Sequence, residues 1–119
     1  MFLNFSNHPV KTWGRNQLYE AKRFGEVRDM SFPDVSAAMS ADDISVLAEK
    51  YVNHIVEMQP SCVLCQGEFT LAYAVISRLI TRGIRVVAAC SERNVRVIKE
   101  GNETVKKVVF EFKRFREYR

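Results

Sequence analysis

The chain has 119 residues, of which 47% are hydrophobic and 27% charged, and its formal net charge is +4. This composition is typical of a soluble single domain rather than of a disordered or membrane chain. No apolar run approaches the ~18 to 20 residues of a bilayer-spanning helix, and Met1–Phe5 lacks the basic region and cleavage site of a secretory signal. We therefore expect one domain, residues 1–119, in the cytoplasm and away from membranes.

The first half of the chain predicts two strand–helix pairs. Met1–Phe5 is an apolar strand, and Thr12–Phe24 is predicted as a helix with Thr12 at its N-cap and Gly25 after its end. The weakly alternating stretch 26–33 predicts a second strand. Ser40 is a suitable N-cap for a second helix, because two aspartates follow in the first turn and apolar residues then recur at helical spacing.

The second half predicts two strands that are apolar on both faces and then a hairpin. Cys62–Cys65 is a continuous apolar strand, as expected when helices cover both sides of a sheet. A helix over Phe69–Arg82 follows, and then a fourth continuous strand over 84–90. After residue 94, two longer alternating segments flank Gly101 and its following asparagine, which predicts a β-hairpin.

This alternation of strands and helices indicates an α/β fold. We expect a compact Rossmann-like parallel sheet in flavodoxin-like order, 2-1-3-4, flanked by helices, because short right-handed connections leave few other topologies. The parallel core would span residues 1–91, and the C-terminal β-hairpin would span residues 94–119 and extend one edge of the sheet.

The three cysteines do not favour metal or redox chemistry. Cys62 and Cys65 form a CxxC pair, but residues three apart on a strand point to opposite faces, so they cannot easily share a metal ion or a disulfide. No second CxxC is present, and Cys90 ends another apolar run. Buried thiols are the preferred interpretation, and no cofactor is implied.

The positive charge is concentrated in the C-terminal segment 106–119. Six bases and two acids there give six minus two, or +4, so the preceding residues balance to zero. Interleaved aromatics and bases can bind single-stranded nucleic acid. We prefer an edge strand with Phe110, Phe112 and Phe115 on one face, and a long nucleic acid is not expected as a partner. An apolar edge hairpin invites pairing with another copy, which predicts a homodimer.

Polar segments follow three of the predicted strands and mark a candidate ligand site. In open α/β sheets, ligands bind beyond the carboxyl ends of the strands, where the strand order reverses. In the expected order this point lies between the first and third strands. The segments that meet there are Ser6-Asn7-His8 after strand 1, Gln66-Gly67-Glu68-Phe69-Thr70 after strand 3, and Ser91-Glu92-Arg93-Asn94 after strand 4.

These residue types suit a nucleotide better than a bare anion. Gly67 would let a ligand approach the backbone, Arg93 would bind a phosphate, and Glu68 would accept from a hydroxyl or base edge. Trp13 could stack on a base. Structural alternatives stay open: His8 could cap a turn, Glu68 could stabilise a helix dipole, Arg93 could form a surface ion pair, and Trp13 could cover the first helix. Neither GxGxxG nor a P-loop lysine is present, so dinucleotide or NTP-hydrolysing chemistry is not expected.

Four short motifs resemble those of small CRISPR-associated proteins of the Csx type. They are Ser6-Asn7-His8-Pro9, Gly67-Glu68-Phe69-Thr70, Ser91-Glu92-Arg93 and Phe115-Arg116-Glu117-Tyr118. The resemblance implies a dimeric CARF-like domain of the Rossmann type that binds cyclic oligoadenylates, the second messengers of type III CRISPR defence. Some small relatives are ring nucleases, and others only bind the ring.

The resemblance also implies roles for individual residues. Asn7, His8, Glu68, Thr70 and Arg93 would face the ring. In a metal-independent ring nuclease, a ribose 2′-oxygen attacks the adjacent phosphorus and leaves a 2′,3′-cyclic phosphate. Arg93 would neutralise the phosphate, and His8 or Glu68 would act as base or acid. Three alternatives remain: a non-catalytic sensor or sponge, an N-glycosidase-like enzyme with Glu68 as nucleophile, and a nucleic-acid-binding protein that uses the basic tail.

Overall fold

A five-stranded mixed sheet flanked by three helices forms the fold of the computed structural model, which describes all residues 1–119. A 3₁₀ turn at Val10–Thr12 lies between the first strand and the first helix. The strands are β1 (Phe2–Ser6), β2 (Val27–Ser31), β3 (Cys62–Cys65), β4 (Val86–Glu100) and β5 (Glu103–Glu117), and the helices are α1 (Arg15–Lys22), α2 (Ala41–Met58) and α3 (Phe69–Thr81).

The strand order in the sheet is β2-β1-β3-β4-β5. The first four strands pair in parallel and stand in the order 2-1-3-4 that the sequence predicts. β5 runs antiparallel to β4, so the sheet is mixed. The chain reverses between them through Gly101, whose φ of +61° lies in the left-handed region that favours glycine.

The two faces of the sheet carry separate hydrophobic clusters. Leu3 and Phe5 of β1 belong to the larger cluster, beneath α2 and α3. Phe2 belongs to the smaller cluster with Ala21 of α1 and Leu64 of β3. Side chains of a strand alternate between the two faces, and here both faces are covered, so β1 and β3 are continuous apolar runs.

The cysteine pair of β3 is divided between these faces, as the strand periodicity predicts. Cys62 packs in the cluster beneath α1, and Cys65 packs in the cluster beneath α2 and α3. Burial raises the pKa of Cys62 to about 11 and that of Cys65 to about 12. Both thiols therefore stay protonated at neutral pH.

Of the two predicted helix N-caps, one is confirmed and the other is wrong. Ser40 caps α2, as predicted, and it forms a capping box with Asp43: each residue's side chain accepts a hydrogen bond from the backbone N–H of the other. Thr12, however, is not the N-cap of α1. Its hydroxyl donates to the Pro9 carbonyl over 2.7 Å, and Gly14, in extended conformation, holds the N-cap position.

β4 is longer than the sequence predicts. It does not end at Cys90 but continues to Glu100, paired with β5 throughout. Beyond Cys90 the two strands form a two-stranded arm, residues 91–112, which we call the ribbon. The arm explains a radius of gyration of 16.9 Å, where a compact chain of this length gives about 13.5 Å.

A β-bulge sets the orientation of the phenylalanines at the base of the ribbon. Cys90 pairs with Arg114 while Ser91 pairs with Phe112, so Lys113 is the additional residue. The bulge places Phe112 and Phe115 on the same face although they are three residues apart, with their ring centroids 4.9 Å from each other.

None of the three helices is both long and apolar enough to cross a membrane.

Candidate functional site

A cavity of about 650 Å³ lies on the α1 side of the sheet, at the carboxyl ends of β1 and β3, and we call it the α1 cavity. This volume falls within the range of small-molecule sites. Its position between β1 and β3 is the strand-order reversal at which the sequence predicts a ligand. Its floor includes Ser6, Leu64, Gln66, Ala89 and Ser91, and its walls include His8, Trp13, Gly14, Gln17, Phe110 and Phe112.

The N-terminus of α1 opens at this cavity without a capping side chain. Gly14 is its N-cap, and the first turn contains no acid. The other two helices differ, because Ser40 caps α2 and the Glu68 carboxylate caps α3. The leading N–H groups of a helix carry partial positive charge and bind anions. The α1 cavity is therefore the place in this fold where an anionic group finds a helix terminus that no side chain occupies.

A polar network centred on the buried Asn4 fixes the turn between β1 and α1. Asn4, 1% exposed, donates from its amide to the His8 carbonyl and to Asp29 Oδ1, each over 2.8 Å, and accepts from the Ser6 hydroxyl over 2.7 Å. Asp29 Oδ1 also accepts from the backbone N–H of Val10 over 3.1 Å. A buried amide with its hydrogen bonds made costs little, whereas an unpaired one is costly. The network therefore specifies one turn conformation.

Asn4 and Asp29 were not identified from the sequence. Asn4 interrupts an otherwise apolar strand, Phe2–Phe5, and that interruption was the available signal. A polar residue at a position buried on both faces requires a partner. Nothing local reveals that the partner is Asp29, which lies on the neighbouring strand β2.

His8 has a structural and a cavity-lining role together. Its carbonyl accepts from Asn4 and also from the Trp13 indole N–H over 3.0 Å, so the turn-capping alternative holds for its backbone. The residue is nevertheless exposed and lines the α1 cavity. Trp13 likewise covers the hydrophobic cluster, edge-on to Phe2 at 6.1 Å, and lines the same cavity.

Five of the predicted site residues come together in the α1 cavity. Gln66 is fixed there because its side-chain oxygen accepts from the Ala89 backbone N–H over 3.2 Å. Ser91 is held there because it lies on β4 at the base of the ribbon, where it pairs with Phe112. The five are Ser6, His8, Trp13, Gln66 and Ser91.

Gly67 has no room for a side chain. A Cβ atom built on it would lie 2.3 Å from Cδ1 of Phe32, a core residue with 3% exposure. The Phe32 ring is supported from behind by Phe5, at a centroid distance of 4.9 Å. The glycine is therefore required by internal packing on this side, while ligand access to its exposed backbone stays a prediction.

Glu68 and Thr70 do not line the α1 cavity. The Glu68 carboxylate accepts from the backbone N–H groups of Leu71 (2.9 Å) and Thr70 (3.0 Å) and from the Thr70 hydroxyl. These bonds, the one from Leu71 first, hold the pKa of Glu68 below its usual range. Glu68 is thus the helix-capping acid that the structural alternative describes. Glu68 does not share the α1 cavity with His8.

The segment 91–94 is not a turn at the edge of the sheet, which corrects the sequence prediction. Arg93 lies on β4 opposite Phe110, on the same strand face as Ser91 but one step farther out along the ribbon. Asn94 faces the other side, where its amide donates to Glu111 over 2.9 Å.

Asn7 is exposed and does not line the cavity.

The fold and cavity define an α/β domain with a ligand-sized site at the carboxyl edge of its parallel strands. Residues 1–116 match the model of the family described as "Uncharacterized protein MJ1673 family", and the chain belongs to this family. The matched range includes the cavity and the whole ribbon. No curated protein and no solved structure matches the chain.

Proposed function

We propose that this Rossmann-like domain binds a cyclic oligoadenylate of type III CRISPR defence in the α1 cavity. The observation that carries the proposal is the uncapped N-terminus of α1, which opens at a cavity lined by aromatic and neutral polar side chains. A phosphate would accept from the leading N–H groups of α1. An adenine would stack on Trp13 or Phe110, and Ser6 and Gln66 would bind ribose or base.

The electrostatics of the ribbon support an anionic ligand. The strand face that continues from Ser91 carries Arg93 and, on β5, Lys106. The carboxylates of the ribbon alternate onto the other face, and no carboxylate lines the α1 cavity. A ring that extends out of the cavity would therefore meet cations rather than acids, and Arg93 keeps its proposed role toward phosphate.

Cleavage of the ring is a second candidate, favoured by the presence of His8 in the cavity. Among the lining residues, His8 carries the side chain that most often serves as a general acid or base in enzymes. It would take the proton of the attacking 2′-hydroxyl or protonate the departing 5′-oxygen. Because Glu68 is committed to α3, the predicted acid–base pair is incomplete, and the geometry supports a sensor or sponge better than a nuclease. Glu68 as an N-glycosidase nucleophile has the same difficulty.

The test is incubation of the full chain with cyclic tri-, tetra- and hexa-adenylate, with and without EDTA. Thermal shift would measure binding, and mass spectrometry would identify products. We expect one ring to raise the melting temperature, since a ligand at 100 times its Kd adds about 2.7 kcal/mol to the free energy of unfolding. No shift with any ring would overturn the proposal.

Product analysis separates binding from cleavage. Linear products with 2′,3′-cyclic phosphate ends, formed in EDTA, would establish the nuclease, and an intact ring would establish a sensor or sponge. In the first case His8→Ala should slow cleavage by about 10²- to 10⁴-fold while the ring still binds. His54→Ala is the matched control, because His54 is an exposed histidine on α2, on the other side of the sheet.

A further inference from the structure

The outer edge of β5 is a long strand edge with no partner in the chain. β5 ends the strand order of the sheet and runs for 15 residues, without proline. Its backbone groups on that side are an open template for another strand. Within the ribbon β5 has only β4 beside it, and an isolated two-stranded arm is marginally stable in water.

The ribbon also exposes apolar side chains on one face. Val95 and Val97 of β4 are 53% and 63% exposed, and Val108 and Phe110 of β5 are 46% and 70% exposed. Val95 pairs with Val108, and alternation places all four on the face that continues into the α1 cavity. A third strand beside β5 would cover part of this surface and add backbone hydrogen bonds.

We infer that β5 pairs antiparallel with β5 of a second copy, about a two-fold axis that is perpendicular to the sheet and passes midway between the two copies of Val109. Such an axis keeps each face of the sheet on its own side, so opposed residues must share a face. Under this condition, the two strands can pair only in registers in which one residue of β5 faces its own copy across the axis. Val109 lies in the regular part of β5, before the bulge at Lys113.

The charges along β5 select this register. Centred on Val109, Lys107 opposes the partner's Glu111 on both sides of the axis, and Phe110 opposes the partner's Val108. Opposite charges and aromatic–aliphatic pairs stabilise cross-strand neighbours. A centre one residue later opposes Lys107 with the partner's Lys113, and a centre one residue earlier leaves Lys107 opposite a valine.

The inferred dimer places both α1 cavities on the same face of one continuous sheet. Phe110 belongs to the wall of its own cavity and, across the axis, neighbours the partner's Val108. Resting on the proposed function, this arrangement would present two copies of the site to a ring that has two-fold symmetry. The pairing itself rests on the β5 edge and needs no ligand.

Disulfide trapping tests the register in the absence of ligand. In the full chain with Cys90→Ser, Val109→Cys should form a reducible dimer on oxidation, because two residues that face each other across the axis lie within the ~7 Å Cα separation of a disulfide. Val105→Cys is the matched control, a half-buried valine on the same face. Its two copies would be eight residues, about 27 Å, apart. Failure of Val109→Cys to cross-link, or equal cross-linking of both variants, would overturn the inference.

Charge exchange provides a second test that introduces no cysteine. Lys107→Glu or Glu111→Lys alone should weaken the dimer by roughly tenfold, and the double variant should restore it. Sedimentation equilibrium would follow the mass between 13.7 kDa and twice that value, 27.4 kDa. A double variant as weak as the single ones would contradict the pairing. Ring binding by a monomeric variant would leave the proposed function standing without this dimer.

Discussion

The turns after β1 and β3 both end a buried parallel strand at the same edge of the sheet, and each leads into a helix on a different face. After β3, the protein itself fills the turn: Phe32 occupies the space beside Gly67, and Glu68 takes the leading N–H groups of α3. After β1, the cap is Gly14, no side chain bonds the leading N–H groups, and a cavity lies beside them. A polar strand-to-helix turn therefore becomes a candidate site only when its helix terminus and the neighbouring space remain free.

The largest effect on stability should come from adding a methyl group in the turn after β3. Gly67→Ala places a methyl group against the supported Phe32 ring and should lower the free energy of unfolding by about 3 kcal/mol, the upper part of the range for overpacking. Urea denaturation would measure the change. Gly14→Ala is the steric control, since nothing lies within 4 Å of its added Cβ, and its cost should be limited to that of a poorer N-cap, about 1 kcal/mol. A Gly67→Ala protein as stable as the parent would show that Phe32 moves aside.

Removing the network beneath the β1 turn should have the next largest effect. Asn4→Ala removes the three hydrogen bonds that the buried amide makes with His8, Asp29 and Ser6, and should cost about 2 kcal/mol. It should also weaken ring binding, because the turn that carries His8 loses its support. Denaturation and isothermal titration would measure the two effects. Asn53→Ala, an exposed position on α2, should change neither.

A capping carboxylate introduced at the start of α1, like that of Glu68 at the start of α3, tests this difference between the two turns. Gly14→Asp introduces a capping carboxylate at α1, which should raise the free energy of unfolding by a few tenths of a kcal/mol. The same carboxylate should repel a phosphate at the helix terminus and weaken ring binding by roughly tenfold or more. Gly14→Asn is the matched neutral cap. Equal binding by the Asp and Asn variants would exclude a phosphate at this terminus.

The smallest effect should come from Glu68, and it should depend on pH. Hydrogen bonds hold the pKa of Glu68 below its usual range in the folded protein, so the carboxylate stabilises the fold above its ordinary pKa. That contribution is lost as the pH falls through the folded pKa. Glu68→Gln should lower the melting temperature slightly at pH 7, with a smaller difference from the parent in acid, and should leave ring binding unchanged. Loss of ring binding by the Glu68→Gln protein would show that Glu68 contributes to the ligand site.

Local sequence patterns predicted the helices and strands, whereas contacts between residues distant in sequence determine the structural role of each turn. The Ser40 capping box and the opposed cysteines of β3 follow from residues close together in sequence. The role of Gly67 depends on Phe32, 35 residues away, which no local pattern reveals. Likewise the polar stretch 91–94 resembles a turn, because both faces of the ribbon are exposed there and the strand needs no apolar alternation.

The central claim is that a ring binds at the β1 turn and not at the β3 turn. Amide chemical shifts of the ¹⁵N-labelled full chain, followed during titration with cyclic tetra-adenylate, test it directly. The account predicts the largest changes at Gly14–Gln17, with further changes at His8 and Phe110, and essentially none at Gly67–Leu71. Chemical-shift changes concentrated at Gly67–Leu71, with Gly14–Gln17 unchanged, would contradict the account and place the ring at the turn after β3.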